Sequence, residues 1–176
     1  MTTQDENKRS DDVIGTHFTL PNYPFRASGH WFRTGEDFEP ALGFVRRRGG
    51  QSVGVGFTYY FDRPDSEWLE DLSMGADYDR YQWLGGDLDS EELEWNVFGI
   101  RTLEGDYLGF EVEFEREILR ESFEIIDALV VPVDEYRGID FELEFRSSSD
   151  RSGFGGIELA YGDDYGGRST RGDSWL

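Results

Sequence analysis

The residues that could carry chemistry are few, and each sits in a context that argues against its use. Gly50-Gln51-Ser52-Val53-Gly54 matches G-x-S-x-G, which in serine hydrolases presents a nucleophile on a strand-to-helix turn with the histidine last in chain order. Here a strand pattern follows the serine, and both histidines, His17 and His30, precede it. The motif reads as a Gly-rich turn entering a strand. His17 and His30 could ligate a metal, but neither belongs to an H-E-x-x-H spacing, and strand histidines satisfied by neighbours are expected. Asp87-Leu88-Asp89-Ser90-Glu91-Glu92 resembles part of a calcium loop without its central glycine and distant bidentate glutamate, so a solvated acidic loop is expected, with its affinity for a cation left open. A glycosidase pair needs one carboxylic acid held neutral in an apolar pocket, whereas the acids here fall on the outward phase of strands or in loops. Arg171-Gly172-Asp173 is expected by chance in a tail of that composition. Cysteine is absent, which excludes disulfides, thiolate metal sites and thiol nucleophiles. No catalytic, cofactor-binding or metal residue is assigned, and the chain is not expected to be an enzyme.

Two residue sets remain for binding. Arg46, Arg47 and Arg48 form the only basic run, and guanidinium groups make bidentate contacts to carboxylates, so these three are candidates for contact with acidic neighbours. Trp175 and Leu176 end the chain as an apolar hook on a polar tether, suited to a groove on a neighbour. A second reading, a carbohydrate-binding β-sandwich, would use Trp31, Trp68, Trp83 or Trp95 as a sugar platform and would set two or three of them coplanar on a solvent face.

The elements that must position these groups are strands. Phe110, Val112 and Phe114 alternate with Glu111, Glu113 and Glu115; Ile139, Phe141, Leu143 and Phe145 alternate with Asp140, Glu142 and Glu144. A period of two places the apolar side chains on one face and the carboxylates on the other. The expectation is an oily inner face and an acidic outer one. Ile125–Val133 is a nearly continuous apolar run and reads as a deeper strand, moved to an edge or bulge by Pro132.

In chain order, residues 1–12 read as a polar N-terminal arm without the apolar segment of a secretory leader. Strand signals follow at Thr16–Leu20, Phe25–Phe32, Ala41–Arg46, Val53–Asp62, Tyr78–Leu84 and Trp95–Leu103. Gly54 and Gly56 suggest a bulge or a close approach. Ser66–Ser73 suggests one helical turn. Glu104-Gly105-Asp106 predicts a tight hairpin into Tyr107–Glu115, Arg116–Glu124 is either helix or strand, and Ile157–Tyr161 is the last strand. Residues 162–176 read as a polar C-terminal arm. Short strands at intervals of about ten residues predict a sandwich or barrel, and over residues 13–161 an eight-stranded jelly roll suits the length.

Charge is the strongest compositional signal. Asp and Glu number 38 against 17 Lys and Arg, a net charge of −21, and Lys8 is the only lysine. Such a fold repels itself in dilute buffer, and molar salt, with a Debye length of about 3 Å, screens most of that cost. The hydrophobic share of 37% with regular alternation argues against an acidic disordered chain and for a salt-adapted folded protein. Direct nucleic-acid binding is disfavoured, since phosphate would be repelled. The longest apolar run, Ala128–Val133, is too short for a transmembrane helix.

An acidic all-β chain of this size, with strands Val53–Asp62, Trp95–Glu115 and Ile125–Phe145 between two polar arms, resembles the smaller major capsid protein of haloarchaeal icosahedral viruses with an internal membrane. The resemblance implies a single jelly-roll β-barrel that tiles a virion shell. It also implies copies of itself and a related larger capsid protein as partners, contacts with penton or membrane proteins of the virion, and assembly in the cytoplasm of a halophilic archaeal host.

Overall fold

The computed structural model describes residues 12–38, 47–62, 65–126 and 129–176. The fold is all-β, with no helix among the described residues. Its strands are β1 (Val13–Leu20), β2 (Phe25–Thr34), β3 (Gly50–Asp62), β4 (Leu69–Trp83), β5 (Leu88–Thr102), β6 (Tyr107–Ile118), β7 (Phe123–Ile126), β8 (Leu129–Val131), β9 (Glu135–Arg146), β10 (Gly156–Asp164) and β11 (Gly167–Trp175). Nine of them form one antiparallel sheet in the order β1-β2-β3-β4-β5-β6-β9-β10-β11, and β7 and β8 pair as a separate hairpin between β6 and β9. Each strand of the large sheet therefore lies beside its neighbour in sequence, apart from that one insertion. An eight-stranded jelly roll would divide the strands between two facing sheets; the described residues instead place nine in a single meander.

The strands are longer than the sequence signals indicated. Ser66–Ser73 does not form a helical turn: the Ser66 hydroxyl accepts hydrogen bonds from the Trp68 and Leu69 amides at 3.4 and 2.8 Å, and β4 starts at Leu69. The acidic stretch from Asp87 is absorbed into the start of β5. Arg116–Glu124 divides into the end of β6, a short connection and the start of β7. Ile125–Val133 forms no central strand. It contributes to the small hairpin, where Val131 is 4% exposed while Ile125, Leu129, Val130 and Val133 are exposed.

The C-terminal stretch expected as an arm continues the sheet. Tyr165 and Gly166 take φ values of 42° and 83°, the left-handed pair a two-residue hairpin requires, and β11 returns along β10 from Gly167 to Trp175. The N-terminal arm, apart from Asp12, lies outside the described residues, as do Arg46 and the Ala41–Arg46 strand signal. The hairpin at Gly105 forms as expected: Gly105 has φ 89°, and its amide donates to Thr102 O at 2.9 Å.

Only Val112 and Val131 are buried apolar residues among those described. Domains ordinarily bury the apolar face of a sheet against a second layer. Here one large layer forms.

Candidate functional site: an apolar face backed by an acidic one

The cross-strand register sorts the sheet into two chemically distinct faces. On the first, one row runs Phe57, Ala76, Trp95, Val112, Phe141 and Tyr161 across β3, β4, β5, β6, β9 and β10. The next row toward one end includes Phe98, Phe110, Leu143 and Leu159, and a row beyond it includes Leu72, Ile100, Leu108 and Phe145. The register shift between Asn96 and Phe98 is a β-bulge that keeps Trp95 and Phe98 on this same face although they are three residues apart. Rings meet at its centre: Phe110 lies 6.5 Å from Phe141, stacked, and 6.1 Å from Phe98. Val112, flanked by Trp95 and Phe141 within the first row, is 8% exposed.

One end of this face closes with charge. Arg80, Glu91, Arg116 and Arg137 stand in register across β4, β5, β6 and β9. Arg116 donates to Glu91 at 3.1 Å and, through Nε and Nη2, to both oxygens of Glu135 at 3.0 and 3.1 Å. Tyr78 donates to Glu91 at 3.0 Å. The Arg116 guanidinium holds the Glu91 carboxyl below its ordinary range, and with Arg137 does the same for Glu135.

The opposite face carries carboxylates. Asp77, Glu94, Glu113 and Asp140 form an unbroken row across β4, β5, β6 and β9. Direct cross-strand like charges are unfavourable. The row is bracketed by Gly56 on β3 and Gly162 on β10. A methyl group at Gly56 would overlap the Asp77 carboxylate, and one at Gly162 would overlap that of Asp140, so the two end acids lean outward over bare backbone. Loss of hydration, reinforced by Glu92, Glu115, Asp140 and Glu94, pushes Glu113 up to about 7. Burial, and then the charge of Glu111, raises Glu94 as well. Arg171 on β11 supplies positive charge at the margin, 3.4 Å from Glu142 and 3.2 Å from Glu158.

The expected sidedness is reversed in the single chain. Ile139, Phe141, Leu143 and Phe145 are 40–44% exposed, while Asp140, Glu142 and Glu144 between them are more shielded. β3 and β10 show the same order, with apolar positions the more exposed. Strand periodicity separates the faces correctly but does not say which one meets water.

The other candidates take these places. Arg47 is committed within the chain, 3.1 Å from Asp89, hydrogen-bonded to Ser90 at 3.0 Å and lying over the Tyr81 ring; Arg48 is exposed. Trp175 is 40% exposed, its ring over Gly156, and Leu176 is fully exposed at the chain end. Ser52 lies in β3 opposite Phe32 and Tyr81, with no histidine in register. Trp31 and Trp95 share the apolar face three strands apart and four residues out of row, a separation of roughly 20 Å. Trp83 is on the acidic face and donates to Asp89 at 2.9 Å, and Trp68 precedes β4.

One arrangement was not anticipated. His17 and His30 are direct partners across β1 and β2, and His30 Nε2 lies 3.4 Å from Asp79 on β4, reaching over Gly54 of β3. Gly54 thus provides a close approach of side chains, with no bulge in the β2–β3 or β3–β4 register. Among the described residues no group of three or more His, Asp or Glu side chains is arranged to hold a metal ion. No family model matches the chain, and neither the curated proteins nor the solved structures contain a significant match.

Proposed function

We propose that the protein is a structural subunit that works by assembling, and that the assembly is a protein shell. The observation that carries this reading is the apolar face of the nine-stranded sheet, continuous from β1 to β10 and covered by no second layer among the described residues. Monomeric proteins rarely leave apolar patches larger than a few hundred Å² in contact with water, and larger ones mark association surfaces. The shell form of the reading, a viral capsid subunit working in high salt beside a related partner, draws on the resemblance described above and on the charge of −21. A jelly-roll body needs two facing layers, and here a second layer must come from outside the described sheet. Arg48 and Leu176, both exposed, are available for contacts between neighbours.

Electron microscopy and light scattering of the purified chain in molar KCl, with and without extracts of the native particle, test the reading. Closed or sheet-like particles containing this chain are expected. A protein that stays dispersed at every salt concentration and never enters particles would contradict it.

A further inference from the structure

We infer that the apolar face is the seat of a second copy of this chain, packed sheet on sheet, so that the assembling unit is a two-layer dimer. The inference rests on the assembly reading and specifies its first contact. The area of the face suits such a partner. The eight strands β1–β6, β9 and β10, at about 4.8 Å spacing, with apolar stretches of about seven residues, present a face of roughly 900 Å². Two such faces bury about 1,800 Å², the size of a specific, stable interface. Charge favours the same packing. Facing sheets pack about 10 Å apart, and this packing turns both acidic faces outward, so that two bodies of net charge −21 keep their carboxylates on opposite surfaces.

Hydrocarbon is the competing occupant, and the edges argue against it. Among the described residues β1 and β11 are the two edges of the sheet and are not paired with each other. Unpaired strand edges are not tolerated in lipid. On the apolar side β11 presents Arg168, Thr170, Gly172 and Ser174, in register with β10, and Arg168 donates to the Tyr161 hydroxyl at 3.1 Å. That is the polar rim of a protein interface. The charged row at Arg116 makes a second rim along one end.

The test uses the full chain in 2 M KCl. Size exclusion with light scattering is expected to give twice the 20.3 kDa chain mass. The paired substitution Trp95→Glu and Phe141→Glu is expected to weaken association at least tenfold while circular dichroism still reports the sheet, because both side chains are already partly exposed in the single chain. The cysteine-free chain also accepts single spin labels. Labels at Leu93→Cys, on the apolar face of the central strand β5, should lie close across the dimer and labels at Glu92→Cys much farther apart. A monomer, a dimer with the Glu92 labels the closer pair, or a monomer that binds phosphatidylcholine vesicles would each overturn the inference. Shells that still form from the doubly substituted chain would overturn it and leave the shell reading standing. A dimer that never forms shells would do the reverse.

Discussion

Glu94 on β5 and Glu113 on β6 are direct cross-strand partners, with Asp77 and Asp140 continuing the row on either side. Four carboxylates therefore stand abreast at strand spacing with no basic residue among them. Such a row makes the fold sensitive to both protons and salt.

Protons act through Glu113, whose carboxyl is raised from 4.5 to about 7. The folded chain holds this proton more tightly than the unfolded chain does. Its contribution is full below about 4.5 and is lost as pH rises through about 7. Glu94 and Glu142, also raised, act in the same direction. The melting temperature should therefore fall between pH 5 and pH 8, as read by circular dichroism at fixed salt. Glu113→Gln should flatten that slope and raise the melting temperature at pH 8. A melting temperature that rises over the same interval would contradict the assignment.

Salt acts on the same row from outside. Lowering KCl from molar to about 0.1 M lengthens the Debye length from about 3 to about 10 Å, so that carboxylates on neighbouring strands repel across about two strand spacings. Thermal melts across this titration should show a progressive loss of stability, and Glu94→Gln together with Glu113→Gln should reduce the loss. A melting temperature independent of salt would count against a salt-adapted fold.

The glycines beside the row give a local test. Gly162→Ala places a methyl group against the Asp140 carboxylate and backbone and should cost about 1–3 kcal/mol in urea unfolding. Gly153→Ala, with open space around it, should change stability by less than about 0.5 kcal/mol. Equal costs would mean that Asp140 does not lean over Gly162.

The alternation in β6 and β9 was legible because each strand carries its own period of two, and the structure keeps Phe110, Val112, Phe141 and Leu143 on one side. The row Asp77-Glu94-Glu113-Asp140 was not legible, since it depends on register between four strands, and one strand's pattern carries no register. The bulge after Asn96 further shifts the phase within β5. β11 escaped notice because GRSTRGDSW is polar on both sides, and its backbone pairing with β10 holds it in place. Its one local signal was the Tyr165-Gly166 turn. The His30–Asp79 pair was hidden for a related reason: it spans two strand steps over a glycine.

In the proposed assembly the apolar face is covered in the working protein. Hydroxyl-radical footprinting of the full chain in molar KCl measures this directly. Phe57, Trp95 and Phe141, 49%, 47% and 42% exposed in the single chain, should be oxidised several-fold more slowly than Phe154 and Tyr23, 51% and 59% exposed, after correction for intrinsic reactivity. Oxidation of all five in proportion to those exposures would show the face open to water and would contradict the claim.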